Sequence, residues 1–135
     1  MTMGRETFKK TERLCSHKII TRLFESGNIF YFSFFKVIWL KYPDELPSLA
    51  QVAFSVSKKG FRLAVTRNLL KRRLREAYRK NKQILYNFLT TENIRIVFIV
   101  IFRNNKVQDY QLIEKSLTEM LEKLIINITE NEKNC

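Results

Sequence analysis

The sequence predicts an α+β fold, a mixed α/β sandwich with the element order αββαβα. Three observations support it: a short helical pattern precedes two strand-like stretches, a later strand is apolar on both faces, and helical patterns flank that strand. A chain of 135 residues with 45% apolar residues has the size of one domain with one core. We therefore expect the helices and strands to form a single unit.

The first half of the chain predicts one helix and two strands. In "SHKIITRLFES", residues 16–26, apolar residues recur at helical spacing, and Gly27 can supply a left-handed residue that ends the helix. Residues 34–40 are rich in aromatic and β-branched side chains and stop before the predicted loop "YPDELP". Residues 51–57 alternate between apolar and small or polar residues, as a half-buried strand does. We expect these two strands to pair as antiparallel neighbours.

The second half predicts a long helix, a strand and a last helix. The long helix runs from about Arg67 to about Leu89. The stretch "IRIVFIVIF", residues 94–102, is apolar on both faces, which indicates a central strand. Residues 107–126 carry an amphipathic apolar stripe. This pattern completes the predicted sandwich.

Positive charge is concentrated in one segment. The chain has a formal net charge of +12, and between residues 58 and 82 there are eleven Lys and Arg side chains against one acid, Glu76. On a helical wheel, seven basic or amide side chains fall within one arc of about 140°, with Leu85 and Tyr78 at its edge; the seven are Arg67, Asn68, Lys71, Arg72, Arg75, Arg79 and Lys82. The opposite side carries Leu70, Leu74, Ala77, Asn81 and Ile84, so the helix can dock on a sheet while its other face stays cationic.

Such a face favours a polyanionic partner. A merely solvated helix would interleave acids at i,i+4 spacing, whereas here like charges lie four apart. Membrane binding is disfavoured because the apolar side of the helix is needed to cover the strands. DNA is disfavoured because no second helix precedes this one across a short turn, as a helix-turn-helix requires. RNA is the preferred partner.

Other features of the sequence narrow the class of protein further. Cys15 and Cys135 match no metal-ligand spacing, no signal-peptide pattern opens the chain, and no apolar run is long enough to cross a bilayer. We therefore expect a soluble cytoplasmic protein. The single histidine, His17, has no visible catalytic partner, and no cluster of metal ligands is evident, so we expect no catalytic residue and no metal site.

The motif combination resembles the bacterial ribonuclease P protein subunit. The residues that carry the resemblance are "AFSVSKK" at 53–59 and "AVTRNLLKRRLREAYR" at 64–79, together with "RL" at 13–14, "LFESG" at 23–27 and the downstream "SLTEMLEKL". The resemblance covers roughly residues 8–125. It implies a ribosomal protein S5 domain 2-like fold with a left-handed βαβ crossover. It also implies a single domain over residues 1–135, with short flexible ends at about 1–10 and 127–135.

The resemblance implies a function as well. The family's protein assists a catalytic RNA that removes the 5′ leader from precursor tRNA, with Mg²⁺ bound mainly by the RNA and none by the protein alone. Its partners are that RNA and precursor tRNA, with no membrane and no DNA. Carried over to this chain, the expected RNA-binding residues are Lys58, Lys59, Arg67, Asn68, Lys71, Arg72, Arg75 and Arg79.

The resemblance also places a leader-binding cleft between the first helix and the sheet, where we expect Ile20, Phe24, Lys36 and Ile38. Simple core packing is the alternative for Ile20, Phe24 and Ile38. Two departures stand out: Leu69 occupies the position of the family's second motif arginine, and Ile20 that of a usual aromatic residue. The alternative functions are a structural RNA-binding protein, such as a ribosomal protein, and a self-sufficient nuclease, which the lack of catalytic residues disfavours.

Overall fold

The computed structural model describes residues 7–42 and 46–133. It confirms a mixed α+β fold, with one four-stranded sheet and four α-helices in the described residues. After a 3₁₀ turn, Lys10–Glu12, the elements are α1 (His17–Ser26), β1 (Asn28–Phe32), β2 (Phe35–Lys41), β3 (Ala50–Val56), α2 (Ala64–Asn81), α3 (Gln83–Glu92), β4 (Ile96–Phe102) and α4 (Tyr110–Lys133). The centre of the predicted "YPDELP" loop, residues 43–45, and Cys135 lie outside the described residues.

The order of the strands in the sheet is β1-β2-β4-β3. The predicted central position of β4 is confirmed, since β4 pairs antiparallel with β2 and parallel with β3. The prediction that β2 and β3 are antiparallel neighbours is wrong, because β4 lies between them. Alternation of side chains reports which faces of a strand are buried and does not report which strand lies beside it. The path from β3 through α2 and α3 to β4 is a parallel βαβ unit, and its left hand stays a prediction.

The strand β1 was not predicted. It forms a hairpin with β2, in which Phe32 pairs with Phe35 across a two-residue turn at Ser33 and Phe34. Ser33 takes a positive φ of 53°, a conformation that hairpin turns usually assign to Gly or Asn. The turn therefore lacks the usual sequence signal, and the predicted order αββαβα has one strand too few.

The predicted long helix is two helices that meet at Lys82. This residue keeps a helical backbone, with φ −70° and ψ −14°, while the hydrogen-bonding pattern changes around it. Beyond it, Leu85 and Leu89 are buried, whereas Ile84, which the wheel placed toward the sheet, is 38% exposed. The break shifts the phase of the second helix, so a single wheel cannot describe both.

Gly27 ends α1 by close approach rather than by a left-handed backbone. Its φ is −72°, in the extended region, so the expected left-handed conformation is wrong. A Cβ atom on Gly27 would lie 2.5 Å from Cγ2 of Ile38 and 2.5 Å from the carbonyl oxygen of Leu23. Glycine is required there because α1 passes directly over β2 before the chain enters β1.

Described residues within both predicted flexible ends pack against the core. Where a flexible end was expected from residue 127, α4 continues to Lys133, buries Ile128, and accepts a 2.7 Å hydrogen bond at Asn127 Oδ1 from Trp39 Nε1. Near the other end, the ring of Phe8 packs edge-on against Tyr78, with centroids 5.6 Å apart. The first six residues lie outside the description.

The sheet separates two groups of core residues. On one face, α2, α3 and α4 cover the larger group, which includes Trp39, Phe98 and Phe102. On the other face, α1 covers a smaller group around Leu23, Ile38 and Ile99. Among the described residues, no helix is both long and apolar enough to cross a membrane.

Candidate nucleic-acid interface

The helix α2 is fixed by one apolar side. Leu70, Leu74, Ala77 and Tyr78 have no exposed surface, and they pack into the larger core. No acid lies in the first turn of α2, and its last turn holds Arg79 and Lys80. The buried side confirms the sheet-facing residues of the wheel up to Ala77, so the basic arc must face outward. We call this arc, Arg67 to Arg79 on the outer side of α2, the basic strip.

The centre of the basic strip is open to solvent. Asn68, Arg72 and Arg75 are exposed, and Lys71 is half-buried at the edge of the strip. Lys58 and Lys59 are exposed in the turn that precedes α2, so they extend the positive surface at its N-terminal end. Arginine presents a planar fork of donors that matches phosphate geometry. The strip therefore has the side chains and the exposure that a polyphosphate chain requires.

Arg67 and Arg79 have partners within the protein. Nη1 of Arg67 donates hydrogen bonds of 2.8 Å to the carbonyl oxygens of both Phe61 and Arg62, which shapes the loop before α2. Arg79 donates to both carboxylate oxygens of Glu76, at 3.0 Å and 2.7 Å. These hydrogen bonds hold the pKa of Glu76 below its ordinary value. The like charges four residues apart are thus partly offset inside the molecule.

Three further cations of α2 and its end are directed away from the strip. Arg73 donates to the carbonyl oxygen of Gln108, just before α4, and Lys80 Nζ lies 5.9 Å from the ring centroid of Tyr110, the first residue of α4. Both side chains therefore contact the segment where α4 begins. Lys82, which the wheel placed in the basic arc, forms an ion pair with Glu12 instead. Leu69, at the motif position that departs from the family, lines a cleft with Arg72 and Arg73.

Glu12 is the centre of a buried polar cluster. Its carboxylate accepts hydrogen bonds from Lys82 Nζ, from the hydroxyl of Tyr86 and, at 2.8 Å, from the backbone N–H of Lys9. Burial raises the pKa of Glu12, but these hydrogen bonds and the Lys82 charge together outweigh it, and the pKa lies below its ordinary value of 4.5. Burial, the neighbouring Tyr78 and Glu12 raise the pKa of Tyr86. The Tyr86 hydroxyl therefore keeps its proton and donates a hydrogen bond to a charged carboxylate.

This cluster predicts a pH dependence of stability. Because the pKa of Glu12 is lower in the folded chain, its stabilisation is present above about pH 4.5 and is lost as the pH falls through the folded pKa. At pH 7 we expect Glu12→Gln to lower the free energy of unfolding by about 2 kcal/mol, the scale of hydrogen bonds to charged groups. Urea unfolding between pH 3 and pH 7 should show the gap between the two proteins closing toward acid. A gap that is constant with pH would contradict this account.

The predicted leader-cleft residues differ in their surroundings. Ile38, which was predicted to line the leader cleft, is 1% exposed in the core beneath α1, so its surroundings fit the alternative of core packing and not contact with a bound strand. Ile20 is half-buried and packs against the same group. Phe24 is 58% exposed, and Lys36 is half-buried on the same side of the sheet. Phe24 therefore offers the most surface to a ligand, Ile20 and Lys36 offer part of theirs, and Ile38 offers almost none.

An aromatic side chain beside Lys36 was not predicted from the sequence. Tyr31 pairs with Lys36 across β1 and β2, is 58% exposed, and lies between two cations. Its ring centroid is 5.9 Å from Lys36 Nζ and 5.0 Å from the guanidinium carbon of Arg103. An exposed aromatic ring between cations is the arrangement that stacks an unpaired base. The signal was hidden because β1 itself was not predicted.

Within the ranges 7–42 and 46–133, no group of three or more His, Cys, Asp or Glu side chains is placed to hold a metal ion.

The basic strip, the exposed Tyr31 and the α+β framework that positions them define a nucleic-acid-binding protein. Comparison with known proteins identifies the class more closely.

Residues 8–125 match the family model described as Ribonuclease P. The chain belongs to this family. Its members are RNA-binding proteins of tRNA processing, and membership implies a partner RNA subunit. A ribonuclease P protein component of Porphyromonas gingivalis is 29% identical over 119 residues, covering 88% of this chain and 87% of that protein. One from Petrotoga mobilis is 34% identical over 125 residues, covering 90% and 98%.

Solved structures show the same fold. The RNase P protein of Thermotoga maritima superposes with a TM-score of 0.64 at 23% identity, covering 83% of this chain and 96% of that one. That of Staphylococcus aureus gives a TM-score of 0.62 at 24% identity, covering 84% and 94%. The resemblance stated from the motifs is therefore confirmed at the level of the family and of the α+β fold.

Proposed function

We propose that this chain is the protein subunit of a cytoplasmic ribonucleoprotein that removes the 5′ leader of precursor tRNA, and that the catalytic RNA performs the hydrolysis. The observation that carries the proposal is the basic strip, where Asn68, Lys71, Arg72 and Arg75 face outward from a helix whose other side is fully buried. Lys58 and Lys59 lengthen this surface. Release of counterions from RNA phosphates would supply most of the affinity and make it fall steeply with salt.

Magnesium belongs to the RNA in this proposal. Mg²⁺ prefers carboxylate, phosphate and water oxygens as ligands. The strip presents guanidinium, ammonium and amide groups instead, and its carboxylate, Glu76, is paired with Arg79. Such a surface neutralises phosphate charge in place of metal ions. The protein would therefore lower the magnesium concentration that the RNA needs.

The leader would contact a second surface. Phe24, Tyr31, Lys36 and Arg103 lie on the α1 side of the sheet, whereas the basic strip lies on α2, which covers the opposite side. A single strand could stack a base on Tyr31 while the two cations bind its phosphates. The two faces would then bind two different RNA segments at once.

The direct test is cleavage of a precursor tRNA by the cognate catalytic RNA at low magnesium, with and without the protein. We expect the protein to raise the rate by about tenfold or more, which corresponds to about 1.4 kcal/mol of activation barrier, with one cut at the mature 5′ end. Tight RNA binding without stimulation would favour the alternative, a structural RNA-binding protein such as a ribosomal protein. Cleavage by the protein without RNA would instead indicate a self-sufficient nuclease.

Replacement of the exposed aromatic ring tests the leader surface. We expect Tyr31→Ala to weaken holoenzyme binding of a precursor tRNA by about five- to a hundredfold, the range for loss of one stacked base. The variant Tyr31→Phe keeps the ring and should retain the affinity. Mature tRNA, which lacks the leader, is the control substrate, and its affinity should not change. An equal loss for both substrates would remove Tyr31 from the leader surface.

A further inference from the structure

A segment before α1 joins the edge of the sheet to the basic helix. We call residues 7–14 the N-terminal strap. At one end, the backbone N–H of Leu14 donates a 3.0 Å hydrogen bond to the carbonyl of Val52 in β3, and Arg13 pairs with Val52 in an isolated parallel bridge. At the other end, Phe8 packs against Phe54 and Tyr78. The strap therefore crosses from the edge strand to the side of α2.

Glu12 fixes the middle of the strap. This residue is 4% exposed, and its carboxylate is bound by Lys82 and Tyr86, which belong to the junction of α2 and α3. Lys82 also donates to the carbonyl oxygen of Thr7 within the same strap. The strap is thus attached to the C-terminal end of the basic helix through side chains, as well as to β3 through the backbone.

The next residue, Arg13, is exposed and lies on the basic side of the molecule. Its guanidinium carbon is 5.5 Å from the ring centroid of Phe8, a cation–π arrangement that orients the group. Phe8 and Arg13 form part of the lining of an open cleft of about 520 Å³, together with Arg72, Arg75 and Arg79 of α2 and with Tyr110. Of the described residues that line the cleft, five are arginines, of which Arg73 donates to the carbonyl oxygen of Gln108 and Arg79 is paired with the one acid, Glu76.

We propose that the N-terminal strap is part of the RNA-binding surface, in which Arg13 joins the arginines of α2 to bind backbone phosphates, and Glu12 is a positioning residue that holds Arg13 beside them. This inference rests on the proposed function, since it assigns another segment to the surface that binds the catalytic RNA. We infer a phosphate ligand because arginines outnumber acids in this cleft. One guanidinium group can donate hydrogen bonds to two phosphate oxygens at once. Binding of the anion also relieves the repulsion between the arginines in the free protein.

The role of Glu12 follows from its negative charge and from its position next to Arg13 in the strap. A carboxylate next to Arg13 could compete with phosphate for that side chain, but Glu12 is occupied by Lys82, Tyr86 and the Lys9 amide. It therefore anchors the backbone of its neighbour without neutralising it. Loss of this anchor would let the strap leave α2 and remove Arg13 from the cleft while the strip itself stays in place.

The test measures the affinity for the catalytic RNA as a function of KCl concentration. We expect Arg13→Gln to weaken binding about tenfold at low salt and to reduce the slope of log K against log salt by about 1, the value for loss of one phosphate contact. Arg13→Lys keeps the charge and should restore most of the slope. Lys10→Gln is the matched control, because Lys10 is an exposed cation of the same strap outside the cleft lining, and it should leave both quantities unchanged.

The positioning role is tested by a double-mutant cycle. Glu12→Gln should also reduce the salt slope, and the double variant Glu12→Gln with Arg13→Gln should bind no more weakly than Arg13→Gln alone, because both changes remove the same contact. Additive losses with an unchanged slope for Glu12→Gln would show a purely structural effect and would overturn the positioning role.

Two outcomes would overturn the assignment of Arg13: a wild-type salt slope for Arg13→Gln, or an equal loss of affinity for poly-glutamate, which would indicate a general attraction for acidic chains. Failure of the proposed function looks different, since the wild-type protein would then not stimulate precursor cleavage whatever the state of Arg13.

Discussion

Replacing Arg72 and Arg75 together with Glu should weaken binding to the catalytic RNA by about a hundredfold or more at physiological salt. Both side chains are exposed at the centre of the basic strip, so the variant loses two phosphate contacts and places two negative charges against the RNA backbone. The slope of log K against log salt should also become shallower by about 2. Stimulation of precursor cleavage at low magnesium should be lost in parallel.

The matched control carries the same change in net charge elsewhere. Lys115 and Lys123 are exposed on α4, so Lys115→Glu with Lys123→Glu should reduce RNA affinity only slightly. Binding of an isolated leader oligonucleotide should also change little in the Arg72 and Arg75 variant, because the leader surface lies on the α1 side of the sheet. Equal losses from the two double variants would mean that the net charge, and not the strip, determines binding. Arg67 is left intact in this test because its guanidinium supports the loop before α2.

Truncating Leu74 should cost about 3 kcal/mol of the free energy of unfolding. Leu74 lies on the buried side of α2 and has no exposed surface in the larger core. Removal of a buried leucine side chain leaves a cavity that typically costs about 2–5 kcal/mol, and about 3 kcal/mol at a well-packed site. A domain of this kind has a total stability of about 5–15 kcal/mol. The loss therefore threatens the docking of the helix that carries the strip. Urea unfolding with a two-state fit measures it.

Leu112→Ala is the control for this effect, because it makes the same chemical change at a leucine of α4 that is 42% exposed. We expect that variant to lose about 0.5 kcal/mol or less, as surface substitutions usually do. Comparable losses at the two positions would show that α2 is not held by its buried side. If Leu74→Ala remains folded at the assay temperature, its RNA affinity should change far less than that of the Arg72 and Arg75 variant.

The local features of this protein could be predicted from its sequence. The period of the apolar residues predicted the helical segments, with α2 and α3 merged into one helix, three of the four strands in the described residues, and the buried side of α2, because periodicity follows from the repeat geometry of each element. The same wheel gave the outward position of Asn68, Arg72 and Arg75, and the motifs at 53–59 and 64–79 gave the family. All of these depend on residues within a few turns of one another.

The tertiary structure decided what depends on residues distant in the chain. It placed β4 between β2 and β3, although the alternation of β3 is compatible with either neighbour. It took Lys82 out of the basic arc by pairing it with Glu12, which is 70 residues away in the chain. It also brought Tyr31 between Lys36 and Arg103, from three separate segments.

The physical reason is the same in each case. Secondary structure and its buried side follow from local backbone geometry, whereas strand order and side-chain pairing follow from which surfaces meet when the core closes. The sequence therefore determined that a cationic helix faces solvent. Only the folded chain decided which of its cations remain on that face, and which neighbouring segments lie beside them.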